Sequence, residues 1–182
     1  MGKRIVVLNG SPRRKGNTSA LVDAFRDGAE SSGNTVDVFF LQDMDIRGCR
    51  GCFGGGKDRD HPCVQRDGMD DIYPKYVAAD VVVLASPLYY WNLSGQLRSA
   101  FDRLFAVAEC DPNCANPKKD CVLLMAAEGH DFDEVELYYD RLMYHLQWNS
   151  LGKVLCGGVV AVGDIKGRKE IEDARALGAS IQ

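Results

Sequence analysis

Residues 9–19 contain the residue types that bind phosphate in proteins. They follow the short apolar run at residues 5–8 and precede a helical pattern of apolar residues that starts at Ala20. A strand, a loop rich in glycine and hydroxyl residues, and then a helix leave unpaired backbone N–H groups at the helix N-terminus, where a negative charge is favoured. The sequence therefore predicts an anion site between the first strand and the first helix.

The composition of this loop narrows the class of anion. Gly10 and Gly16 permit a tight turn, and short donors and basic side chains surround them: Ser11, Arg13, Arg14, Lys15, Asn17, Thr18 and Ser19. The spacing differs from that of a Walker loop, and no G-x-G-x-x-G follows the strand. These features favour a monophosphate, and an ordinary capped helix beside a basic loop is the alternative.

A second candidate region lies at residues 86–92, directly after the apolar strand predicted at residues 81–85. Its three adjacent aromatic residues are Tyr89, Tyr90 and Trp91. Neighbouring side chains diverge, so all three cannot face one core, and at least one should be available to a flat ligand. Packing beneath the loop is the alternative. Ser94 is expected to cap the next helix, whose apolar stripe predicts a core-facing surface: Leu97, Phe101, Leu104 and Phe105.

A third region, residues 43–68, lacks periodicity and contains Cys49, Cys52 and Cys63 beside three glycines. Long irregular insertions of this kind are usually functional. The chain has seven cysteines, and its first predicted strand begins within a few residues of Met1, so we expect no secretory leader. We therefore expect a reducing, cytoplasmic setting, in which thiols or metal ligands are favoured over structural disulfides.

Composition limits the other classes of function. The 182 residues fit one domain, residues 1–182, with the cysteine-containing insertion at about 43–68. The net charge of -4 and the pI near 5.4 argue against a nucleic-acid partner. No apolar run approaches the roughly 18 residues of a membrane span, so no membrane partner is expected.

The elements that must position these regions alternate along the chain. Strands are predicted at residues 5–8, 36–41, 81–85, 121–126 and 154–162, with helices between them and a last helix at 168–177 that lacks partners at Gly178. Another helix is predicted at 70–78 with Pro74 in its first turn, and Asp131 and Glu134 suggest a capping box for the helix after the fourth strand. This alternation predicts an α/β fold in three layers with a doubly wound, five-stranded parallel sheet. Ligands bind such sheets at the carboxyl ends of the strands, so the tips after strands one, three and four should form one site.

Two motifs closely resemble the flavodoxin-like NADPH-dependent FMN reductases, near the branch that contains the iron-sulfur flavoproteins. The first is Gly10-Ser11-Pro12-Arg13 with Gly16-Asn17-Thr18. The second is Ser86-Pro87-Leu88-Tyr89-Tyr90, followed by Ser94-Gly95-Gln96-Leu97-Arg98 and Phe101-Asp102-Arg103. The similarity spans nearly the whole chain.

The resemblance implies FMN as the cofactor and NAD(P)H as the co-substrate. It assigns the phosphate to Ser11, Arg13, Asn17, Thr18 and Ser19, the flavin ring to Pro87, Leu88, Tyr89, Tyr90, Trp91 and Asn92, and the pyrimidine end of the ring to Glu128 and Gly129. No side chain is expected to act as a catalytic acid or base. The implied activity passes electrons to a flavin, a quinone or a protein, and a non-catalytic electron carrier is the alternative.

The cysteines depart from the pattern of the iron-sulfur branch, which resembles C-x-x-C-x-x-C followed by a fourth cysteine. Here Gly55 occupies the third position, and three thiolates do not complete a four-cysteine cluster. We therefore expect no metal and free thiols in a lid loop. A zinc site that uses His61, a cluster site, or a redox disulfide are the alternatives. The resemblance also implies a homodimer, and Tyr138, Tyr144 and Trp148 are predicted to leave apolar surface for it.

Overall fold

The sheet has five parallel strands in the order β2-β1-β3-β4-β5. This computed structural model describes residues 2–182. The strands are β1 Arg4–Asn9, β2 Thr35–Phe40, β3 Val81–Pro87, β4 Asp120–Ala126 and β5 Asn149–Cys156. The helices are α1 Asn17–Ser31, α2 Met69–Ala78, α3 Gly95–Arg103, α4 Phe105–Ala108, α5 Asp133–Leu146 and α6 Lys169–Ala179. The predicted doubly wound, three-layer α/β fold is confirmed.

Side-chain alternation along the strands divides the core into two layers. In β1, Val6 and Leu8 face a cluster with α2, α3 and α5, whereas Ile5 and Val7 face a cluster with α1 and α6. The central strands are buried on both faces because helices cover both sides of a parallel sheet. The carboxyl ends of β1, β3 and β4 therefore open at one edge, where loops of different length can form a site.

The predicted fifth strand, 154–162, was placed too late in the chain. The observed β5 begins at Asn149 and ends at Cys156, because Gly157 and Gly158 end the extended run. The valines beyond these glycines look like strand residues, but Val160 and Val162 are exposed. Residues 157–163 thus form a loop at the carboxyl edge of the sheet.

Two local predictions for helices were also wrong. Pro74 lies inside α2 rather than in its first turn, because the helix begins at Met69. The predicted capping box at Asp131 does not form, since α5 begins at Asp133 and has no side-chain cap. The Asp131 carboxylate accepts a hydrogen bond from the indole N–H of Trp91 at 2.9 Å and a longer one from the Asp133 amide at 3.4 Å.

The apolar stripe that begins at Leu97 does not continue to Phe105 as predicted. The helix is interrupted at Leu104 between α3 and α4, and Phe105 is exposed. Its ring packs edge to face on Phe53, with 6.1 Å between the centroids. Phe105 therefore contacts the irregular segment at residues 44–68, which we call the cysteine loop, instead of the core.

Trp148 was predicted to supply surface for self-association, but it is buried. Its ring lies 6.2 Å from that of Tyr76 and 6.3 Å from that of Phe101, and its indole N–H donates to the carbonyl of Pro117. Tyr144 is exposed, and Tyr138 is partly buried. Among the three predicted residues, Trp148 belongs to the core.

The last helix has partners along its length, including at Gly178. A Cβ atom on Gly178 would collide with the carbonyl oxygen of Phe25 in α1, and one on Gly28 would collide with that of Arg175 in α6. Glycine at both positions lets the two helix backbones approach closely. The expectation that α6 lacks partners at Gly178 was therefore wrong.

The base of the cysteine loop is fixed by a buried ion pair. The side chains of Arg103 and Asp67 are 1% and 0% exposed, and two guanidinium nitrogens of Arg103 donate to the two oxygens of Asp67 at 2.8 and 3.2 Å. Arg103 also donates to the carbonyls of Arg47 and Gln65. Burial raises the pKa of Asp67, but hydrogen bonds from Arg103 and from the Met69 and Arg47 amides outweigh it, so the pKa lies below its usual value. Both ends of the loop are thereby tied to the end of α3.

Within residues 2–182, no helix has the length and hydropathy that a membrane crossing requires.

Candidate functional site

The loop between β1 and α1 is shaped by close packing against α3. Gly10 lies so near this helix that a Cβ atom would stand 2.5 Å from Ser94 Oγ and 2.7 Å from Leu97 Cβ. Ser94 caps α3, as predicted: its hydroxyl accepts from the Leu97 amide and donates to the Gly10 carbonyl at 2.8 Å. Residues 10–16, which we call the phosphate loop, are therefore held against the element that follows β3.

The polar side chains of the phosphate loop bond mainly to one another. Asn9 accepts from the Ser11 amide at 3.0 Å and donates to Ser19 Oγ at 3.1 Å. The hydroxyls of Ser11 and Ser19 both donate to the carbonyl of Arg13. Sequence reasoning assigned no such role to Asn9, and it treated Ser19 as a ligand rather than as part of this network.

The N-terminus of α1 keeps its first donors free for a ligand. Gly16 is the N-cap residue and has no side chain, so the helix has no side-chain cap. Among the hydrogen bonds of the described residues, none uses the backbone N–H groups of Thr18 or Ser19. Both residues are buried. Buried donors without a protein partner are costly, so an anion such as a phosphate fits this position.

A second loop, residues 160–164, closes over the phosphate loop. The amide of Asn17 donates to the Ala161 carbonyl at 3.0 Å and accepts from the Gly163 N–H at 3.2 Å, while Arg13 donates to the Val160 carbonyl. Asp164 accepts from two amides of the same loop, and these hydrogen bonds lower the pKa of Asp164 below its usual value. The sequence analysis did not predict this loop, because it extended the fifth strand to residue 162.

The aromatic residues after β3 separate at a tight turn. Tyr89 and Asn92 exchange both backbone hydrogen bonds at 3.0 Å, and Tyr90 and Trp91 between them have φ angles of 48° and 57°. This left-handed backbone directs the two side chains away from Tyr89. Tyr90 is 96% exposed, whereas Leu88 is partly buried beside the sheet edge.

The three strand tips enclose one cavity of about 230 Å³ at the carboxyl edge of the sheet. Eight of the residues assigned to the cofactor line it: Ser11, Arg13, Asn17, Thr18, Pro87, Leu88, Tyr89 and Glu128. Asn17 and Tyr89 thus share a cleft, which is the arrangement that a phosphate seat beside a flat-ligand site requires. We refer to this cavity as the cleft.

Five of the assigned residues do not line the cleft: Ser19, Tyr90, Trp91, Asn92 and Gly129. The side chain of Ser19 belongs to the network inside the phosphate loop. Tyr90, Trp91 and Asn92 line a separate groove against α5. In their place, Val159 and Val160 complete the wall.

The cysteines lie away from the cleft, and all seven are free thiols. Within residues 2–182, no three histidine, cysteine or acidic side chains are grouped closely enough to hold one metal ion. His61 was considered as a zinc ligand, but its Nδ1 lies 3.5 Å from an oxygen of Asp70.

The strand order, the parallel sheet and the cleft at its carboxyl edge define a flavodoxin-like α/β protein. An NAD(P)H:quinone oxidoreductase from Methanothermobacter marburgensis shares this fold with a TM-score of 0.74 and 18% identity, over 100% of this chain and 97% of that one. An iron-sulfur flavoprotein of Archaeoglobus fulgidus is 31% identical over 98% of this chain and 78% of its own length. A second, from Methanosarcina thermophila, is 36% identical over 55% of this chain, and the alignment spans 51% of that relative.

Residues 3–155 match the model of the NADPH-dependent FMN reductase family. The chain belongs to this family. The predictions of an oxidoreductase, of FMN as cofactor and of NAD(P)H as co-substrate are confirmed at the level of the family. The donors at the N-terminus of α1 are suited to the phosphate of such a cofactor.

Proposed function

We propose that the cleft holds FMN and that the protein passes electrons from NAD(P)H to a flavin, a quinone or a protein acceptor. The observation that supports this most is the single cavity shared by the N-terminus of α1, at Thr18, and the flat-ligand region, at Tyr89. When bound, FMN would accept hydride from the nicotinamide and supply the redox chemistry. The role of the chain is to bind and orient.

At the phosphate end, the chain contributes backbone donors and positive charge. The free N–H groups of the first turn of α1 favour an anion, and Thr18 and Ser11 add hydroxyls at the wall. Asn17 acts by positioning, because both ends of its amide hold residues 160–164 over the loop. Arg13 is exposed and donates to the Val160 carbonyl, so its charge stands at the rim.

At the ring end, the wall is mainly apolar. Pro87 and Leu88 lie at the end of β3, and Tyr89, which is 47% exposed, offers an aromatic ring. A planar ring gains from contact with such surfaces. Glu128 lies at the tip of β4, where it can accept hydrogen bonds from the pyrimidine edge of a flavin.

Comparison of FMN with riboflavin, which lacks the phosphate, tests the phosphate end. Two charge-assisted hydrogen bonds of about 1.5–3 kcal/mol each predict that FMN binds at least roughly 100-fold more tightly. Asn17→Asp places a negative charge beside the phosphate and should weaken FMN binding by a similar factor, while riboflavin changes little. Fluorescence titration measures both. Equal affinities for FMN and riboflavin, or no uptake of FMN, would refute the assignment.

Anaerobic stopped-flow mixing of the FMN-loaded protein with NADPH tests the catalytic role. Bleaching of the flavin absorbance within seconds, followed by reoxidation on addition of free FMN or a quinone, is expected. Reduction by dithionite but not by NADPH or NADH would indicate an electron carrier instead. A series of flavins and quinones would then identify the acceptor.

The groove beside α5 supports self-association as a homodimer. Tyr90, Trp91 and Leu137 are exposed there, and Glu134 and Arg141 lie at its rim. Apolar surface rimmed by charge is typical of an interface between proteins. Light scattering should give twice the chain mass, and Leu137→Asp should shift it to one chain mass. Val77→Asp, at an equally exposed apolar residue of α2, is the control, and a monomeric wild type would contradict the proposal.

A further inference from the structure

The cysteine loop and the end of α3 enclose a second cavity, of about 250 Å³, which shares no lining residue with the cleft. Three thiols line it: Cys49, Cys52 and Cys63. Since no three metal-ligating side chains within residues 2–182 are grouped around one point, the cavity is not suited to a metal ion. Its size instead suits an organic molecule smaller than a typical drug.

Part of the wall of this cavity is apolar. Phe53 of the loop and Phe105 of α4 line it and pack edge to face, with 6.1 Å between the ring centroids. Ala106 lines the cavity as well. The two rings and this methyl group provide contacts for the carbon atoms of a small ligand.

The helical wall also has a carboxylate without a partner. Glu109 lines the cavity, and among the described residues its carboxylate makes neither a hydrogen bond nor an ion pair. Gly55, in the loop, lies so close that a Cβ atom on it would collide with an oxygen of Glu109. The absence of a side chain at residue 55 therefore leaves room for this carboxylate in the wall, where it can bind an ammonium group.

Positive charge lies at the same cavity. The ion pairs of the loop use Arg47, His61 and Arg66, so exposed Arg50, which lines the cavity, has no carboxylate partner within residues 2–182. Arg103 also lines the cavity and is 1% exposed, and its Nε atom has no hydrogen-bond partner. An unpaired buried donor is costly, and a carboxylate bound in the cavity would accept from it.

Among the three thiols, Cys49 is the best placed to react. It is exposed, and its sulfur accepts a hydrogen bond from the Gly51 amide at 3.4 Å. An N–H donor stabilises negative charge on sulfur, and the thiolate is the form that attacks a disulfide. Arg50, the next residue in the chain, adds a cation beside it.

We propose that this cavity takes up a zwitterionic amino-acid disulfide such as cystine, and that Cys49 forms a mixed disulfide with it. An amino acid presents an ammonium and a carboxylate group close to its sulfur, which match the unpaired charges of Glu109 and Arg50.

The reaction is a thiol–disulfide exchange. The Cys49 sulfur bonds to one sulfur of cystine, the S–S bond of cystine breaks, and the other half leaves as free cysteine with the proton that Cys49 loses. Cys49 is oxidised and the released cysteine is reduced, so neither a flavin nor a nicotinamide is required.

Three disulfides of different charge test the proposal on the reduced full chain. Cystine has both ammonium and carboxylate groups, cystamine has only ammonium groups, and dithiodiglycolate has only carboxylates. Mass spectrometry of the intact protein and of its peptides measures the rate and the site of the adduct. Cystine should label Cys49 first, ahead of Cys114, which is exposed but does not line the cavity.

Two variants should change the three rates in different ways. Arg50→Gln should slow the reaction with cystine and dithiodiglycolate roughly threefold but should not slow cystamine. Glu109→Gln should slow cystine and cystamine by a similar factor but should not slow dithiodiglycolate. Lys57→Gln and Asp60→Asn are the matched controls, because both are exposed charges of the same loop outside the cavity, and they should leave the rates unchanged.

Three results would overturn the proposal. They are the absence of an adduct with cystine, an adduct that forms first at a cysteine other than Cys49, and charge variants that react like their controls. Circular dichroism of each variant separates a change in reactivity from loss of the fold. Because the exchange does not use flavin, failure here leaves the proposal for the cleft standing.

Discussion

The phosphate loop and the cysteine loop are both irregular and rich in glycine, yet they are stabilised in opposite ways. The phosphate loop is short, and hydrogen bonds among Asn9, Ser11 and Ser19 fix it from within. The cysteine loop is long, most of its residues between 47 and 61 are exposed, and its firm contacts lie at its base, on Arg103 and Asp67.

This difference reflects the groups that each region offers to a ligand, which are backbone N–H groups in the phosphate loop and side chains in the cysteine loop. Backbone N–H groups at a helix N-terminus are placed by the fold itself, so a site built from them exists before the ligand arrives. Side-chain donors on an exposed loop are placed only as well as the loop is anchored. Regions with few buried contacts open locally at low free energy, and we expect the cysteine loop to be the less stable of the two.

The largest expected effect comes from removing the anchor of the cysteine loop. Arg103→Met leaves the carboxylate of Asp67 buried without its cation, which should cost about 3–5 kcal/mol of unfolding free energy. Urea denaturation measures the loss, and trypsin should cut the loop faster at Arg50 and Lys57. Under conditions where the variant stays folded, its affinity for FMN should remain within a few-fold of the wild type.

The control for this variant is an exposed pair of the same type. Arg26→Met breaks the contact of Arg26 with Asp23 at 3.6 Å, where the two side chains are 39% and 65% exposed, and should cost less than about 1 kcal/mol. Equal stabilities of the two variants would show that the cysteine loop is not anchored at Arg103. That result would contradict the proposed difference in how the phosphate loop and the cysteine loop are stabilised.

A smaller effect is expected at the phosphate loop. Gly10→Ala forces a methyl group against Ser94 and Leu97 and should cost about 1–3 kcal/mol, with weaker FMN binding. Gly95→Ala, one residue after the cap of α3, meets nothing within 4 Å and should be neutral or stabilise by up to about 1 kcal/mol. Thermal unfolding distinguishes them, and a Gly10→Ala variant as stable as Gly95→Ala would argue against a tightly packed loop.

The smallest effect concerns acid and the loop at residues 160–164. Hydrogen bonds from the Val160 and Ala161 amides hold the pKa of Asp164 below its usual 3.8. Because the pKa is lowered on folding, the contribution of Asp164 is complete above pH 3.8 and is lost as the pH falls through the folded value. Amide chemical shifts of Val160 and Ala161 should titrate below pH 3.8, and Asp164→Asn should abolish that transition. A midpoint above 3.8 would contradict the assigned bonds.

Much of the fold could be predicted because its signals are local. The apolar runs of β1, β3 and β4 gave their positions to within one or two residues, and the polar residues after β1 and β3 indicated the edge where the cleft lies. The end of β5 could not be predicted this way, since Val160 and Val162 continue the apolar pattern beyond Gly158 although they lie in a loop.

The contacts that sequence reasoning missed join residues far apart in the chain. Asn17 bonds to Ala161 and Gly163, Arg103 to Asp67, and Glu109 lies against Gly55. The sequence around each of these residues contains no pattern that identifies its distant partner. The side-chain directions of Tyr90 and Trp91 depend on a left-handed turn. Such turns usually contain glycine, and because this one has none, the local sequence does not predict it.

The paired glycines of α1 and α6 have a consequence for anyone who trims this protein. Residues 3–155 match the family, which makes a shortened version ending there attractive for expression. Such a version would lack α6, which packs against α1 at Gly28. Without α6, the side chains of Val22 and Phe25 would be more exposed to solvent. It should aggregate or melt early, and it would also lose Val159 and Val160 from the wall of the cleft.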